Sequence, residues 1–409
     1  MTNYWRDMSL IVQKYGGSSV ATPEKIKKIA EKIKKNVEEE EKVCVVVSAM
    51  GKTTDELIAL AKRISDSPKP RELDMLLSTG EQVTAALLSI ALNDIGVPSV
   101  SFNAFQLEMV TTSDFNNARI IDINAERLLD EFQTNDVIVV AGFQGITDLK
   151  DITTLGRGGS DTSAVAIAAK LNTKCEIYSD VAGVFACDPK IIPSAKKHEY
   201  ITYDELMELA SMGAKVVHSR AVEIAKKFKV ELYCASTFSD ERGTFVVDSL
   251  PEWLEQPVVT GVTMDKNQRK FTISPLPGGQ EAQVQLFIAL ASKKINLDMI
   301  STVKDNGQVY LTFTVVEGAS ERVREVVEEV LSQYGEYRLI EDDEVVKITA
   351  VGVGMESAPG VAARFFAALN KEGVKLLGTS TSEIKISTLV PKYDAEKAVR
   401  AVAREFSLA

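Results

Sequence analysis

Residues 10–24 read LIVQKYGGSSVATPE, and this stretch decides the fold class. An apolar strand, Leu10–Lys14, leads through Gly16-Gly17-Ser18-Ser19 into a helix that begins at Thr22-Pro23-Glu24. Threonine caps helices, proline fits the first helical position and an acidic residue favours the first turn. Glycines between a strand and a helix let main-chain amides approach an anion, so the turn is a candidate phosphate site. A plain tight turn is the alternative.

Two further apolar runs, Val43–Val47 and Asp136–Ala141, read as strands that are buried on both faces. Such runs, alternating with helices, indicate a largely parallel sheet covered by helix layers. Residues 1–250 are therefore predicted to form an α/β domain with a mostly parallel sheet.

Composition restricts the classes of protein that remain. The 409 residues include 47 Lys and Arg against 58 Asp and Glu, a net charge of −11 that argues against a nucleic-acid partner. The length suggests about two to four domains. Since no apolar run reaches about 18 residues, no membrane span is expected. The N-terminus has no apolar signal core, which argues against secretion and favours a cytoplasmic location. The cysteines are scattered, which favours a reducing compartment and argues against a zinc cluster: Cys44, Cys175, Cys187 and Cys234.

The sequence after Pro251 contains an internal repeat. Phe287–Thr302 aligns with Phe366–Thr381 at an offset of 366 − 287 = 79 residues. Each copy reads as a helix, a turn and a strand that contains Ser-Thr, and a second helix follows. This is the ferredoxin-like pattern. Two such domains are predicted, over residues 258–335 and 336–409, and an exchange of strands between them is left open.

A second glycine-rich segment, Thr153–Thr162, opens a helix of small residues. It combines three glycines with Arg157, Ser160 and Asp161. A guanidinium can bind a carboxylate through two parallel hydrogen bonds. Turn chemistry alone explains this combination poorly, although Asp161 taken by itself can be a helix N-cap.

Two other polar segments are weaker signals. Glu81, in Ser78–Gln82, begins an apolar helix and either binds a ligand ammonium group or is a favourable first-turn charge. Ser179–Lys190 follows the strand Cys175–Tyr178, at the strand end where α/β folds bind ligands. A plain loop is the alternative for that segment.

Five segments together resemble the aspartate kinase family, whose catalytic domain has the amino-acid-kinase fold and is followed by two regulatory ACT domains. The resemblance covers nearly the whole chain. The segments, with the family's pattern, are Lys14–Val20 (KFGGTSV), Val47–Asp55 (VSAMGxTTD), Ala141–Gly145 (AGFQG), Thr154–Asp161 (TLGRGGSD) and Ser380–Ser387 (STSEIKIS).

The resemblance implies phosphoryl transfer from MgATP to the side-chain carboxylate of L-aspartate, which gives 4-phospho-L-aspartate for lysine, threonine and methionine biosynthesis. A carboxylate is already ionised at pH 7, so the reaction needs no general base, only positioning and charge neutralisation. Lys14 is expected to bridge the β- and γ-phosphates and Asp161 to hold Lys14. Mg²⁺ is expected to arrive on ATP, without ligands from the protein.

The remaining site residues also follow from the resemblance. Where the family has tyrosine and arginine near the nucleotide, this chain has Phe185, without a hydroxyl, and Lys190, without the bidentate fork. The residues expected at ATP are Lys14, Tyr15, Gly16, Gly17, Ser179, Asp180, Phe185, Lys190 and Lys215. The residues expected at aspartate are Ser48, Thr54, Glu81 (for the ammonium group), Phe143, Arg157 (for a carboxylate), Gly158, Gly159 and Ser160.

ACT domains bind amino acids between paired domains. The resemblance therefore implies feedback regulation by lysine, threonine or both, and a homodimer or higher homo-oligomer through these domains. Two alternatives are another kinase of this fold, acting on glutamate, carbamate or uridylate, and a catalytically silent amino-acid sensor. The residues expected at the effector are Asp298, Met299, Ile300, Pro359, Gly360, Thr381, Ser382 and Glu383.

Overall fold

The computed structural model describes residues 9–39, 41–214, 216–251, 257–305 and 307–409. The chain divides into two compact units, Met1–Val184 with Lys197–Leu254 and Phe185–Lys196 with Glu255–Ala409. The first unit is therefore not one continuous stretch, because a short segment leaves it to join the second.

Strands and helices alternate along the first unit. In chain order they are β1 Leu10–Tyr15, α1 Pro23–Glu38, β2 Lys42–Val47, α2 Thr53–Ile64, α3 Pro70–Leu77, α4 Thr79–Asp94, β3 Ser99–Phe102, β4 Val110–Thr111, β5 Ile120–Asp122, α5 Ala125–Glu131, β6 Val137–Ala141, β7 Gln144–Ile146, β8 Ile152–Thr154, α6 Gly159–Leu171, β9 Cys175–Ser179, β10 Tyr200–Thr202, α7 Tyr203–Ser211, α8 Ser219–Phe228, β11 Leu232–Ser236 and β12 Thr244–Val247.

The main sheet of the first unit has eight strands in the order β10-β12-β11-β9-β1-β2-β6-β3. From β11 to β3 all neighbours pair in parallel, and only β12 against β11 is antiparallel. The predicted, mostly parallel sheet is confirmed. Because parallel strands end at the same edge, the carboxyl ends of β9, β1, β2 and β6 lie side by side.

Helices cover both faces of this sheet. Side chains on one face, among them Ile11 and Val45, form a core with Ile29 of α1 and Leu88 of α4. Successive residues of a strand point to opposite faces, so Lys14 points away from that core and towards α6. A small sheet, in the order β5-β4-β7-β8, carries the chain into the second glycine-rich segment.

One helical stretch, Pro70–Asp94, is long and apolar enough to cross a membrane by length and composition alone. It consists of α3 and α4, and half of its most apolar window is buried within the protein. Leu88 and Leu92 pack in the core of the first unit, as in the core helix of a globular protein.

The second unit contains two four-stranded antiparallel sheets, β15-β16-β14-β17 and β13-β18-β20-β19. Its elements in chain order are β13 Gly261–Asp265, β14 Gln268–Ser274, α9 Gly279–Ser292, β15 Asp298–Asp305, β16 Gln308–Val316, α10 Ser320–Leu331, β17 Arg338–Asp342, β18 Val345–Val351, α11 Val361–Lys371, β19 Gly378–Thr381, β20 Lys385–Pro391 and α12 Ala395–Glu405.

Each sheet of the second unit has its own hydrophobic core. Phe271 and Leu286 belong to the core of the first sheet, whereas Val262 and Phe365 belong to that of the second. Although β13 and β14 are consecutive, they do not pair with each other: β13 pairs with β18, and β14 with β16 and β17. Two strands that are consecutive in the chain are thus divided between two sheets, because they bury their apolar faces in different cores.

Candidate functional site

The end of β1 carries an ion pair. Lys14 Nζ lies 2.6 Å from Asp161 Oδ1, and only 11% and 10% of the two side chains are exposed. Asp161 Oδ2 accepts a hydrogen bond from the main-chain N–H of His218 at 3.1 Å. Asp161 is not the N-cap of α6, because that position is occupied by Gly158, in the left-handed conformation. The carboxylate instead holds an ammonium group at the sheet edge.

The turn after β1 keeps its main chain close to that ammonium group. A Cβ on Gly16 would lie 3.4 Å from Lys14 Nζ, and a Cβ on Gly17 would lie 2.8 Å from the carbonyl oxygen of Ala49. Since real Cβ contacts are longer than 2.8 Å, a side chain at Gly17 would displace the chain after β2. The turn therefore leaves room for an anionic group beside Lys14.

Tyr15 contributes only its main chain to this edge. Its ring is buried and stacks on Tyr178, with the ring centroids 5.1 Å apart. Its hydroxyl donates to Gln13 Oε1 at 3.1 Å. A contact between the Tyr15 side chain and a nucleotide is thus excluded by burial.

Other predicted residues follow neighbouring strands at the same edge. Ser48 follows β2 and donates its N–H to the carbonyl of Tyr15 at 3.1 Å. Ser179 ends β9, and Phe143 follows β6 with a positive φ of 71°. Thr54 lies in the first turn of α2. The parallel sheet thus brings together residues that lie about 130 positions apart in the chain.

Glu81 is buried in the first turn of α4. Its Oε1 accepts a hydrogen bond from the N–H of Ala49 at 3.1 Å, and its Oε2 has no partner among the residues that the structure describes. Burial raises the pKa of Glu81 to about 7, although hydrogen bonds from the main chain of Glu81 and Ala49 oppose the shift. A favourable helix charge does not explain an unpaired buried oxygen, whereas an ammonium ligand would satisfy it.

Arg157 is exposed, and its guanidinium makes no ion pair within the described part of the chain. It lies between Gly156 and Gly158, which have positive φ angles of 78° and 68°. Gly159 and Ser160 follow as the buried start of α6. The guanidinium is therefore available for a ligand.

Two of the predicted nucleotide contacts belong to the second compact unit, and one lies outside the described residues. Phe185 and Lys190 belong to the second compact unit, where Phe185 packs against the core that includes Val262. Lys215 lies outside the described residues. Asp180 is exposed after β9.

Thr237 also lies at this sheet edge, although it is not among the site residues predicted from the sequence. It follows β11 at the same edge, and its hydroxyl donates to the carbonyl of Ser179 at 3.0 Å and lies 2.6 Å from Ser19 Oγ. Its place after a buried strand was a usable signal, the same one that pointed to Ser179.

The amino acid kinase family model matches residues 9–236, and an ACT domain model matches residues 348–406. The aspartokinase of Mycolicibacterium smegmatis is 42% identical, over 98% of this chain and 97% of its own length. The aspartate kinase of Pseudomonas putida is also 42% identical, over 98% of both chains.

The chain belongs to the aspartokinase family.

Solved structures agree with this assignment. The crystal structure of aspartate kinase from Synechocystis is 41% identical, with a TM-score of 0.55 over 98% of this chain and 70% of that one. Aspartokinase III of E. coli, in complex with aspartate and ADP, has a TM-score of 0.82 over 97% of this chain and 99% of that one, at 23% identity, which shows the fold. The predicted fold class and the aspartate kinase activity are confirmed.

The second unit of this aspartokinase contains an ion pair in which only the lysine is buried. Lys347 Nζ, on β18, lies 2.5 Å from Asp298 Oδ2, at the start of β15, so the pair joins the two sheets. Only 3% of the Lys347 side chain is exposed, against 48% for Asp298. Burial raises the pKa of Asp298, but the hydrogen bond and charge of Lys347, together with the Met299 N–H and the charge of Lys385, leave the pKa below its usual value.

The other residues expected at an effector lie at the ends of strands and helices. Met299 and Ile300 follow Asp298 on β15, and Pro359 and Gly360 precede α11. Thr381 ends β19, and Ser382 donates its N–H to the carbonyl of Lys385 at 2.9 Å, beside the exposed Glu383. The edge strands β15 and β19 of the two sheets are in contact.

Proposed function

We propose that this aspartokinase transfers the γ-phosphoryl group of MgATP to the side-chain carboxylate of L-aspartate at the edge formed by β9, β1, β2 and β6. The product is 4-phospho-L-aspartate. The observation that carries this proposal is the buried pair of Lys14 and Asp161 beside the Gly16-Gly17 turn.

The reaction joins two anions, the γ-phosphate and a carboxylate. Two unit charges 4 Å apart interact by about 4 kcal/mol at an effective dielectric constant near 20, so the site must supply positive charge. Lys14 neutralises the β- and γ-phosphates, and Asp161 fixes its ammonium group in place. No group of three metal-binding side chains occurs in the described ranges, and Mg²⁺ is proposed to arrive bound to the ATP phosphates.

The carboxylate oxygen attacks the γ-phosphorus while the bond from that phosphorus to the β,γ-bridging oxygen breaks. ADP leaves with the electron pair of that bond, and Lys14 stabilises the charge that develops on the leaving oxygen. No proton has to be removed from the nucleophile, because an aspartate side chain is ionised at neutral pH.

Aspartate is held by two groups of opposite charge. The unpaired Oε2 of Glu81 accepts the ammonium group, and the free guanidinium of Arg157 binds a carboxylate. The rest of the aspartate site is proposed to be Ser48, Thr54, Phe143, Gly158, Gly159 and Ser160. The nucleotide is proposed to contact Gly16, Gly17, the main chain of Tyr15, Ser179, Asp180, Phe185, Lys190 and Lys215.

Regulation by lysine, threonine or both is proposed for the second unit, with two ACT domains and assembly into a homodimer or higher homo-oligomer. The two sheets with two helices each support a tandem arrangement. Aspartokinase III of E. coli was solved in complex with lysine and aspartate, which supports lysine as an effector. The activity is proposed to serve lysine, threonine and methionine biosynthesis in the cytoplasm.

An assay of ADP release tests the catalytic proposal. ADP release should depend on both MgATP and aspartate and saturate with each, and glutamate, carbamate or uridylate should not replace aspartate. A silent sensor would bind aspartate without releasing ADP, and another kinase of this fold would prefer one of the other acceptors. Either result contradicts the proposal.

The regulatory proposal has a separate test. Lysine and threonine, alone and together at millimolar concentration, should lower activity or raise the melting temperature of the full chain. If neither effector changes activity or melting temperature, feedback control by these amino acids is refuted while the catalytic proposal stands.

A further inference from the structure

A fully buried carboxylate lies behind the loop that carries Arg157. Asp74, on α3, accepts hydrogen bonds from the N–H of Thr154 at 2.8 Å and from the Thr154 hydroxyl at 2.7 Å. It also accepts one from the N–H of Asn116 at 2.9 Å. Burying a carboxylate is costly, and these three donors compensate for the lost water. Asp74 therefore joins the turn at residue 116 to the end of β8.

A guanidinium joins the same two segments from another helix. Arg220, on α8, donates to the carbonyl of Leu155 at 3.0 Å and to the carbonyl of Ala118 at 2.8 Å. The segments also bond directly, because the N–H of Ala118 donates to the carbonyl of Thr154 at 2.9 Å. We call Asp74 and Arg220 together the clasp.

Arg157 has no anchor of its own. Its side chain is exposed and makes no ion pair within the described ranges. Its main chain lies in a turn between Leu155 and α6, in which the N–H of Gly159 donates to the carbonyl of Gly156 at 3.0 Å. Asp161 is different, because Lys14 and the N–H of His218 hold it directly. The position of Arg157 thus depends on the start of α6 and on the residues just before Arg157, and the clasp holds those preceding residues.

We infer that Asp74 and Arg220 are positioning residues that set the affinity for aspartate by fixing the loop from which Arg157 extends. This inference rests on the proposed role of Arg157. It requires that damage to the clasp weaken the binding of aspartate while the binding of ATP, held at Lys14 and the first glycine turn, stays unchanged.

Asp74→Asn tests the clasp, since it replaces the charged acceptor by a neutral amide whose oxygen accepts more weakly from the N–H groups of Thr154 and Asn116 and whose NH2 group cannot accept from the Thr154 hydroxyl. We expect the KM for aspartate to rise about tenfold or more, because misplacement of a binding group by about 1 Å can cost up to about 100-fold. The KM for ATP should stay within about twofold of the wild-type value.

Glu205→Gln is the matched control. Glu205 is as buried as Asp74 and accepts from the Thr202 N–H at 3.2 Å and the Thr202 hydroxyl at 2.8 Å. It belongs to the capping box of α7, a helix that contains neither residue of the clasp nor Arg157. It should lower the melting temperature without changing either KM. If Glu205→Gln raises the KM for aspartate as much as Asp74→Asn, the effect is a general loss of stability and the inference is wrong.

Two milder variants, both at Thr154, still test the inference if Asp74→Asn does not fold. Thr154→Val keeps the shape of the side chain but removes its hydrogen bond to Asp74, whereas Thr154→Ser retains the hydroxyl. The inference predicts a higher KM for aspartate in the first variant, by about twofold to tenfold for one hydrogen bond, and near wild-type behaviour in the second. Equal values for the two variants overturn it.

Arg157→Ala separates this inference from the proposed function. If that variant leaves the KM for aspartate unchanged, the proposed role of Arg157 fails and the inference fails with it. If Arg157→Ala raises the KM but Asp74→Asn does not, only the inference fails. In the double variant, Asp74→Asn should add less than about twofold, because the clasp acts through a group already removed. Full additivity contradicts the inference.

Discussion

The two units each contain an ion pair between a buried lysine and an aspartate, and the N–O distances of the two pairs are nearly the same. Lys14 and Asp161 are 2.6 Å apart and both about nine-tenths buried, beside a glycine turn. Lys347 and Asp298 are 2.5 Å apart, but the lysine is buried and the aspartate half exposed, between two sheets. The N–O distance of an ion pair therefore does not by itself reveal the function of that pair. Room for an anion beside the first pair suits catalysis, whereas an exposed carboxylate in the second can exchange its partner for a ligand.

The largest effect is expected from the first pair. Lys14→Ala should lower kcat on the order of 100-fold or more, because one preorganised positive group at the phosphates is lost. Lys347→Ala, assayed without effectors, should leave kcat near the wild-type value. ADP release measures both. A near-normal kcat in Lys14→Ala would refute its catalytic assignment and remove the functional difference between the pairs.

Glu81 differs from the aspartates of both ion pairs, because it is a buried carboxylate that pairs with no lysine among the described residues. Its pKa of about 7 means that it loses its charge as the pH falls below 7, so the KM for aspartate should rise about tenfold per pH unit there. Glu81→Gln should raise the KM about 10- to 100-fold at pH 8, as a charged hydrogen bond is lost, and abolish this pH dependence. A wild-type KM that stays flat from pH 6 to 8 would contradict the ammonium-binding role.

The second pair should show an asymmetry in stability. Asp298→Ala leaves the buried ammonium of Lys347 without its partner and should lower the free energy of unfolding by about 2–3 kcal/mol, somewhat less than for a fully buried pair. Lys347→Met replaces the lysine by an apolar side chain of similar volume, and should cost less than about 1 kcal/mol, since Asp298 can turn to water. Urea unfolding measures both, and the reverse order would show that the burial of Lys347 does not control the stability of this pair.

An effect no larger than that of Asp298→Ala is expected from the linkage between the protonation of Glu81 and the free energy of unfolding. Its pKa is raised from 4.5 to about 7 in the folded protein, so the folded state binds the proton more tightly than the unfolded state. This contribution to stability is therefore present at low pH and lost as the pH rises from about 4.5 to 7. Relative to wild type, Glu81→Gln should gain about 1–3 kcal/mol of stability over this range. A constant difference in unfolding free energy from pH 5 to 8 would contradict the raised pKa.

The sequence predicted those elements whose formation depends on residues that are neighbours in the chain. The strand, glycine turn and capped helix over residues 10–24 appear as β1, the turn and α1, with Thr22 as N-cap. The repeat at an offset of 79 appears as α9 with β15 and α11 with β19. Glu81 was found from its place at a helix start, but the sequence left two interpretations open. The burial of Glu81 and its unpaired oxygen favour the proposed ammonium site over a first-turn charge.

Contacts between distant segments were not predictable in the same way. Lys347 reads as one residue of an apolar strand, and only the packing of β18 near β15 places it against Asp298. Asp74 and Arg220 lie in helices about 150 positions apart, with no local motif for a shared role. Phe185 and Lys190 follow a strand of the first unit in sequence, yet pack with the second, because the apolar side chains around them complete the core of its second sheet.

The amino-acid sequence by itself determined the elements, the glycine turns and the charged groups that are proposed to bind phosphate and carboxylate, because these depend on neighbours along the chain. Only the tertiary structure decided which buried charges meet, which strands exchange between the two sheets and which polar atoms stay unpaired. The physical reason is that the pairing and the desolvation of a charge depend on every segment packed around it, and those segments come from all parts of the chain.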